Sequence, residues 1–159
     1  MPAVHLLARA VIRDDDHVLV VRADGQSHTF LPGGHREAGE GMTTCLRREL
    51  HEELGVDAQI DQYLGGVEHT WRRRGERQYE INHCFSVSAP TLRVGRSPKA
   101  QEGHLSFAWV AVSRLGAAAL EPAPLRSLLR KERAEPWWAS TLQEEPDGER
   151  REHSSVSRD

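Results

Sequence analysis

The sequence predicts a single α/β or α+β layered domain built on a mixed β-sheet, and three observations carry that prediction. Its 159 residues fit one domain and suffice to bury roughly two-thirds of the unfolded surface. Short runs rich in Val, Leu and Ile recur as strand patterns on either side of one strong helical pattern. Some of those strands follow one another through short polar turns, as in hairpins, whereas the helix separates others.

The first strands are His5 to Arg13 and His17 to Arg22, broken by the acidic run Asp14 to Asp16. This reads as a hairpin opening the domain. The acidic run lacks the glycine and the terminal Glu of a twelve-residue calcium loop, so it reads as a turn. Pro32 to Gly34 ends a short segment, and Gly41 precedes a helical pattern from about Met42 to Leu54. Gly55 stands where a helix C-terminal stop belongs. Beyond it, Val56 to Gly65, Glu68 to Trp71, Gln78 to Ser88 and Leu105 to Val112 read as strands, with Arg73 to Arg77 as a polar hairpin loop. A second helix is expected over Ala123 to Arg133, after Pro122, with Leu125, Leu128 and Leu129 on one side. From Gln143 to Asp159 nearly every residue is polar or charged. The expected organisation is therefore a domain over 1–142 and a disordered polar tail over 143–159.

Composition narrows the partners. With 38% hydrophobic and 28% charged residues, the chain is polar for a globular protein but far from the low-apolar regime of disorder. A net charge of −3 argues against a dedicated binder of nucleic acid or of an anionic membrane, which needs a surplus of Lys and Arg. A small-molecule partner fits better. Cys45 and Cys84 are too few for a disulfide scaffold and lack the close spacing of a zinc or redox pair, which points to a reducing cytoplasm. Met1 to Ala10 has no leader pattern, and no stretch approaches the roughly 20 apolar residues of a membrane span. Both a monomer and a homodimer agree with these features.

The chemistry concentrates on the first helix. At roughly 100° per residue, Glu49 and Glu53 lie one turn apart on one face, and Glu52 is three positions from Glu49. Three carboxylates thus share one patch, while Leu46, Leu50 and Leu54 form the adjoining apolar stripe that holds the helix to the sheet. Like charges at these spacings cost roughly 0.2–0.5 kcal/mol per pair in an isolated helix unless a cation sits among them. A hard divalent ion such as Mg²⁺ or Mn²⁺ suits an all-oxygen site of this kind. The plainer reading is a solvated acidic face, with Arg48 pairing to Glu52 at i,i+4 spacing. Gly33 and Gly34 weigh against it, because glycines let a backbone approach a ligand closely and can turn a carbonyl toward a metal.

Gly34, Glu40, Arg48, Glu49, Leu50, Glu52, Glu53, Gly55 and Val56 form one string, with five residues between Gly34 and Glu40 and seven between Glu40 and Arg48. That string resembles the Nudix box at every fixed position. Matching nine positions by chance is on the order of one in a billion per window at average residue usage. The resemblance covers the box and, more loosely, the strands from His5 to about Val112, and it implies a Nudix-type α/β/α sandwich. It further implies that Glu49, Glu52 and Glu53 are metal carboxylates, that the Gly33 carbonyl is an additional ligand, and that Glu40 and Arg48 orient the loop on the helix.

Similar families place a further carboxylate in the loop before an apolar strand containing Trp-Val, as an extra metal ligand or as the base. Glu102, ahead of Trp109 and Val110, takes that place here. Glu53, Glu102 and Arg48 are thus the expected catalytic residues. Cys45 reads as a small buried residue at the start of the helix. His69, His83 and His104 read as unrelated strand histidines because no short pair spacing links them.

By resemblance, the substrate is a nucleoside diphosphate linked to another moiety, and a metal-dependent hydrolase cleaves its phosphoanhydride. Trp71 or Tyr79 beside the Arg-rich hairpin could stack on a base while Arg72, Arg73 or Arg74 meets a phosphate; local packing of an exposed charged hairpin explains the same residues equally well. The region from Trp71 to Arg74 carries neither the proline associated with ADP-ribose hydrolases nor the tyrosine associated with dinucleoside polyphosphate hydrolases. Nucleoside triphosphates and nucleotide sugars are the leading substrates, with ADP-ribose and dinucleoside polyphosphates as alternatives. A non-catalytic nucleotide-binding domain of the same fold would be expected to lose Arg48, Glu49, Glu52 or Glu53, and all four are present.

Overall fold

The computed structural model describes residues 3–96 and 98–142. In chain order the elements are β1 (Val4–Val11), β2 (Arg13–Asp14), β3 (His17–Ala23), β4 (Gly33–His35), α1 (Met42–Leu54), β5 (Gln59–Arg73), β6 (Glu76–Ser88), β7 (Leu105–Ala111), α2 (Leu125–Leu128) and β8 (Trp137–Ser140). A five-stranded mixed sheet runs in the order β4-β1-β6-β5-β8, and a three-stranded antiparallel sheet in the order β2-β3-β7. Within the larger sheet, β1 is parallel to β6 and antiparallel to β4.

The expected opening hairpin is divided between the two sheets. Arg13 and Asp14 pair with Val18 and His17 around Asp15, whose φ of 51° an Asp tolerates. β1 itself leaves for the larger sheet, because its central Ala8 and Ala10 pack under α1. β3 joins both cores: Leu19 faces the α1 side, while Val18 and Val20 face the opposite side with Val11, Val67, Leu115, Leu120, Leu125 and Leu129. The layering is therefore α1, then sheet, then the segment carrying α2, as the α/β/α expectation had it.

Helix α1 spans the expected residues, and its Cys45, Leu46, Leu50 and Leu54 are buried. Burying one leucine stabilises by roughly 1.5–3 kcal/mol. That exceeds the like-charge repulsion among the helix carboxylates, so packing decides the helix. Gly55 ends it at φ 67° with its N–H donating to the His51 carbonyl at 2.8 Å.

Two expectations downstream are corrected, and one strand is added. Val56 to Gly65 and Glu68 to Trp71 are not two strands but one, β5, kinked by register shifts between Ile60 and Gly65. Gly65, at φ 148°, marks that irregularity, and a Cβ there would strike the carbonyl and ring of Trp137 on β8. The second helix is one turn, α2, rather than Ala123 to Arg133. Leu125 and Leu129 anchor that turn in the core, while 130–136 are exposed and have nothing apolar to pack on. Trp137 to Ser140 form an unexpected edge strand parallel to β5. The polar stretch 143–159 lies outside the described residues. Among the described residues no helix is long and apolar enough to cross a membrane.

Candidate active site

The site is built where β4, the edge strand, meets α1. Gly33 has φ 134°, and a Cβ on it would strike the Ala8 carbonyl oxygen of β1, so only glycine lets β4 lie this close. A Cβ on Gly34 would sit 2.5 to 2.7 Å from the Glu49 carboxylate. Gly33 thus makes room for the β1 backbone and Gly34 for the Glu49 carboxylate. This explains physically why a Gly-Gly pair precedes the helix by a short loop.

Arg48 closes that loop. Its guanidinium donates to Glu40 at 2.6 and 3.0 Å and to the His35 carbonyl at 3.1 Å. It also donates to Glu49 at 3.0 Å and to Glu52 at 3.3 Å. The Arg48 contact holds the Glu40 carboxyl down at about 2, and the surrounding carboxylates raise the basicity of Arg48 further. Arg48 therefore pairs with Glu52, as a solvated acidic face would have it, but also ties the loop to the helix. Cys45 sits at 3.7 Å from the Gly34 carbonyl, and burial pushes its thiol up to about 11, as suits a packing residue.

Glu53 points away from Arg48. It is 5% exposed and accepts one hydrogen bond, from the Gly33 N–H at 3.3 Å. Burial pushes its carboxyl up to about 8; Arg9 and the Gly33 hydrogen bond oppose that rise, while Glu49 and Glu102 add to it. Glu49 is also raised, chiefly by burial and against Arg48. Two desolvated carboxylates thus stand beside each other at the glycine strand. Glu102 reaches the same region because the Gln101 N–H donates to the Glu53 carbonyl at 2.8 Å, docking the loop before β7 on the end of α1. Its carboxylate lies 3.7 Å from His104.

Among the described residues no three Asp, Glu, His or Cys side chains converge closely enough to hold a metal ion. Arg48 draws Glu49 and Glu52 to one side, and Gly33 draws Glu53 to the other. The donor set nevertheless fits a hard divalent ion: a carboxylate has about four acceptor sites, and buried Glu53 uses one. The Glu49 carboxylate already lies against the Gly34 backbone, so a second acidic oxygen donor stands at the same strand.

The other candidates separate. Trp71 pairs with Gln78 and Thr70 with Tyr79, so the Trp71 and Tyr79 rings lie on opposite faces of the sheet and cannot share one base. Trp71 donates to Glu80 at 3.2 Å. His69 contacts Thr141 and His83 contacts Tyr63, away from each other and from His104. Arg9 and Asn82 lie outside the residues that the sequence patterns single out. Arg9 donates to the Asn82 side chain at 3.2 Å and to the Leu31 carbonyl at 3.0 Å, and Asn82 is 1% exposed. A lone Arg in the apolar run Leu6 to Val11 was the available signal.

The family model of the NUDIX domain matches residues 4–131. The chain belongs to the Nudix family. The Nudix match takes in every element from β1 to α2 and ends before β8. A MutT-like protein of Streptomyces ambofaciens is 33% identical over 73 residues, which is 45% of this chain and 47% of that protein. The alignment therefore spans about half the length of this curated relative. The MutT protein of Methanosarcina mazei Go1 has a similar Nudix fold, with a TM-score of 0.62 and 22% identity over 80% of this chain and 91% of that one. An ADP-ribose pyrophosphatase of Streptococcus suis 89-1591 shares the fold at a TM-score of 0.58 and 14% identity, over 86% of this chain and 98% of that one.

Proposed function

We propose that this Nudix domain is a Mg²⁺- or Mn²⁺-dependent hydrolase that splits a phosphoanhydride bond in a nucleoside diphosphate linked to another moiety, such as a nucleoside triphosphate or a nucleotide sugar. The observation that carries the reading is Glu53: a carboxylate 5% exposed, hydrogen-bonded among the described residues only to the Gly33 N–H, beside a Glu49 carboxylate that lies against Gly34. An acidic face meant only for solvent would not bury its third carboxylate.

In this reading Glu49, Glu52 and Glu53, with the Gly33 carbonyl and Glu102, hold the divalent ions. When bound, such ions polarise phosphoryl oxygens and offset the charge that develops as water attacks phosphorus. Arg48 and Glu40 keep the loop fixed on α1, so that Glu49 and Glu52 stay in register with Gly33 and Gly34. The base that takes the proton from the attacking water is Glu53 or Glu102. Glu53 is the buried carboxylate at the glycine strand, and Glu102 is the more accessible of the two. The same reading assigns 1–142 to the catalytic domain and 143–159 to a dispensable polar tail.

The test is a product screen with Mg²⁺ and with Mn²⁺ over nucleoside triphosphates, nucleotide sugars, ADP-ribose and dinucleoside polyphosphates. Cleavage between two phosphorus atoms, abolished by EDTA, is the expected result. Undiminished activity in excess EDTA, or a preference for a simple phosphomonoester, contradicts the assignment.

A further inference from the structure

We propose that Arg9 is a substrate-binding residue: its unbonded guanidinium N–H groups hold a phosphate oxygen of the diphosphate beside Glu53. The inference rests on the reading of the substrate as a diphosphate derivative, and it names a residue outside the helix and the glycine loop.

A guanidinium has five N–H donors. Among the described residues Arg9 uses two of them, Nε to the Asn82 Oδ1 at 3.2 Å and Nη1 to the Leu31 carbonyl at 3.0 Å. The rest of the group is held in place without further hydrogen bonds. Its Cζ lies 5.3 Å from the centre of the Phe30 ring, and Asn82 is in turn fixed by Glu80 at 3.1 Å and by the Val67 carbonyl at 3.4 Å. Nη2 has no hydrogen-bond partner among the described residues and is not among their fully buried unpaired atoms, so part of its surface is open to solvent. The side chain is thus oriented at one end and free at the other.

Its position supplies the purpose. Arg9 is the register partner of Gly33, the residue whose N–H meets Glu53, and its charge acts on both Glu53 and Glu49. No carboxylate lies within ion-pair distance of it among the described residues. A partly buried arginine without an ion pair, packed on an aromatic ring and presenting a planar fork, is built to meet an anion that arrives from outside. A purely structural arginine would spend its donors on the protein.

The experiment measures binding and turnover separately. Wild type, Arg9→Lys and Arg9→Gln are titrated in Mg²⁺ with methylenediphosphonate, a diphosphate that cannot be hydrolysed, and their kcat and KM are determined on the best substrate of the screen. Arg9→Gln is expected to weaken diphosphate binding by about 10- to 100-fold, with KM rising more than kcat falls, and Arg9→Lys to fall between. Phenylglyoxal labelling of folded wild type, read by mass spectrometry, gives a second measurement that needs no variant: methylenediphosphonate should protect Arg9. Equal affinity of wild type and Arg9→Gln overturns the proposal, and so does labelling of Arg9 that the diphosphate leaves unchanged. A wild type that hydrolyses no diphosphate derivative overturns the proposed function, whereas an active wild type matched by Arg9→Gln overturns Arg9 alone.

Discussion

Glu53 links stability to chemistry at the level of a single side chain. Folding moves its carboxyl from the ordinary 4.5 up to about 8, mainly through burial. A group raised on folding contributes stability that is present below its unfolded value and lost as pH rises through its folded value. In metal-free protein that loss falls between about pH 4.5 and 8. Glu53→Gln, which keeps the shape and removes the charge, should therefore hold its melting temperature better than wild type over that window. A divalent ion should reverse the order, raising wild type more than the variant, because binding only the folded state stabilises it by about 2.7 kcal/mol at 100 times Kd. Melts of both proteins at pH 5 and 8, with and without Mn²⁺, decide the matter; equal metal shifts would exclude Glu53 as a ligand. The spacing of Glu49, Glu52 and Glu53 was readable from helical periodicity, but the burial of Glu53 was not, because it arises against other elements, Gly33 of β4 among them.

Elements decide which carboxylates meet. Helix α1 and its glycine stop were readable because periodicity and capping are local properties of consecutive residues. The loop before β7 is docked on the helix end by the Gln101 N–H bond to the Glu53 carbonyl and by the Gln101 side chain against Gly55, which no spacing in the chain announces. Glu102→Gln is predicted to lower kcat by roughly 10²- to 10⁴-fold if Glu102 is the base, with little change in melting temperature because the side chain is 38% exposed. Unchanged kinetics would return it to an ordinary loop residue. The overlong second helix shows the opposite limit of local reading. Leucine spacing continues through Leu129, but it carries no information about where the covering core ends, and the exposed residues beyond it leave the helical path.

At the scale of the whole molecule the two cores meet on either side of β3, and the described chain closes with β8 along β5. Thr141 still belongs to this frame, since its hydroxyl contacts His69 and the Thr70 N–H. A chain ending at Leu142 should therefore melt within a few degrees of the full chain and turn over substrate at the same rate. A drop in either quantity would show that 143–159 contributes to binding or assembly. Ending the chain before Trp137 is a different experiment, because it removes an edge strand whose Trp137 packs into the second core.

What the sequence by itself determined was everything that depends on neighbours in the chain: one strong amphipathic helix, the carboxylate triplet on its face, the glycine pair ahead of it and, through these, the family. The tertiary structure alone decided that β1 and β3 belong to different sheets, that Trp71 and Tyr79 look to opposite sides, and that Arg9 and Asn82, 73 residues apart, share a hydrogen bond beside the carboxylates. The physical reason is one of range. Helical periodicity and backbone freedom act within a few residues, whereas register, burial and the desolvation that raises the Glu53 carboxyl exist only once distant strands have packed.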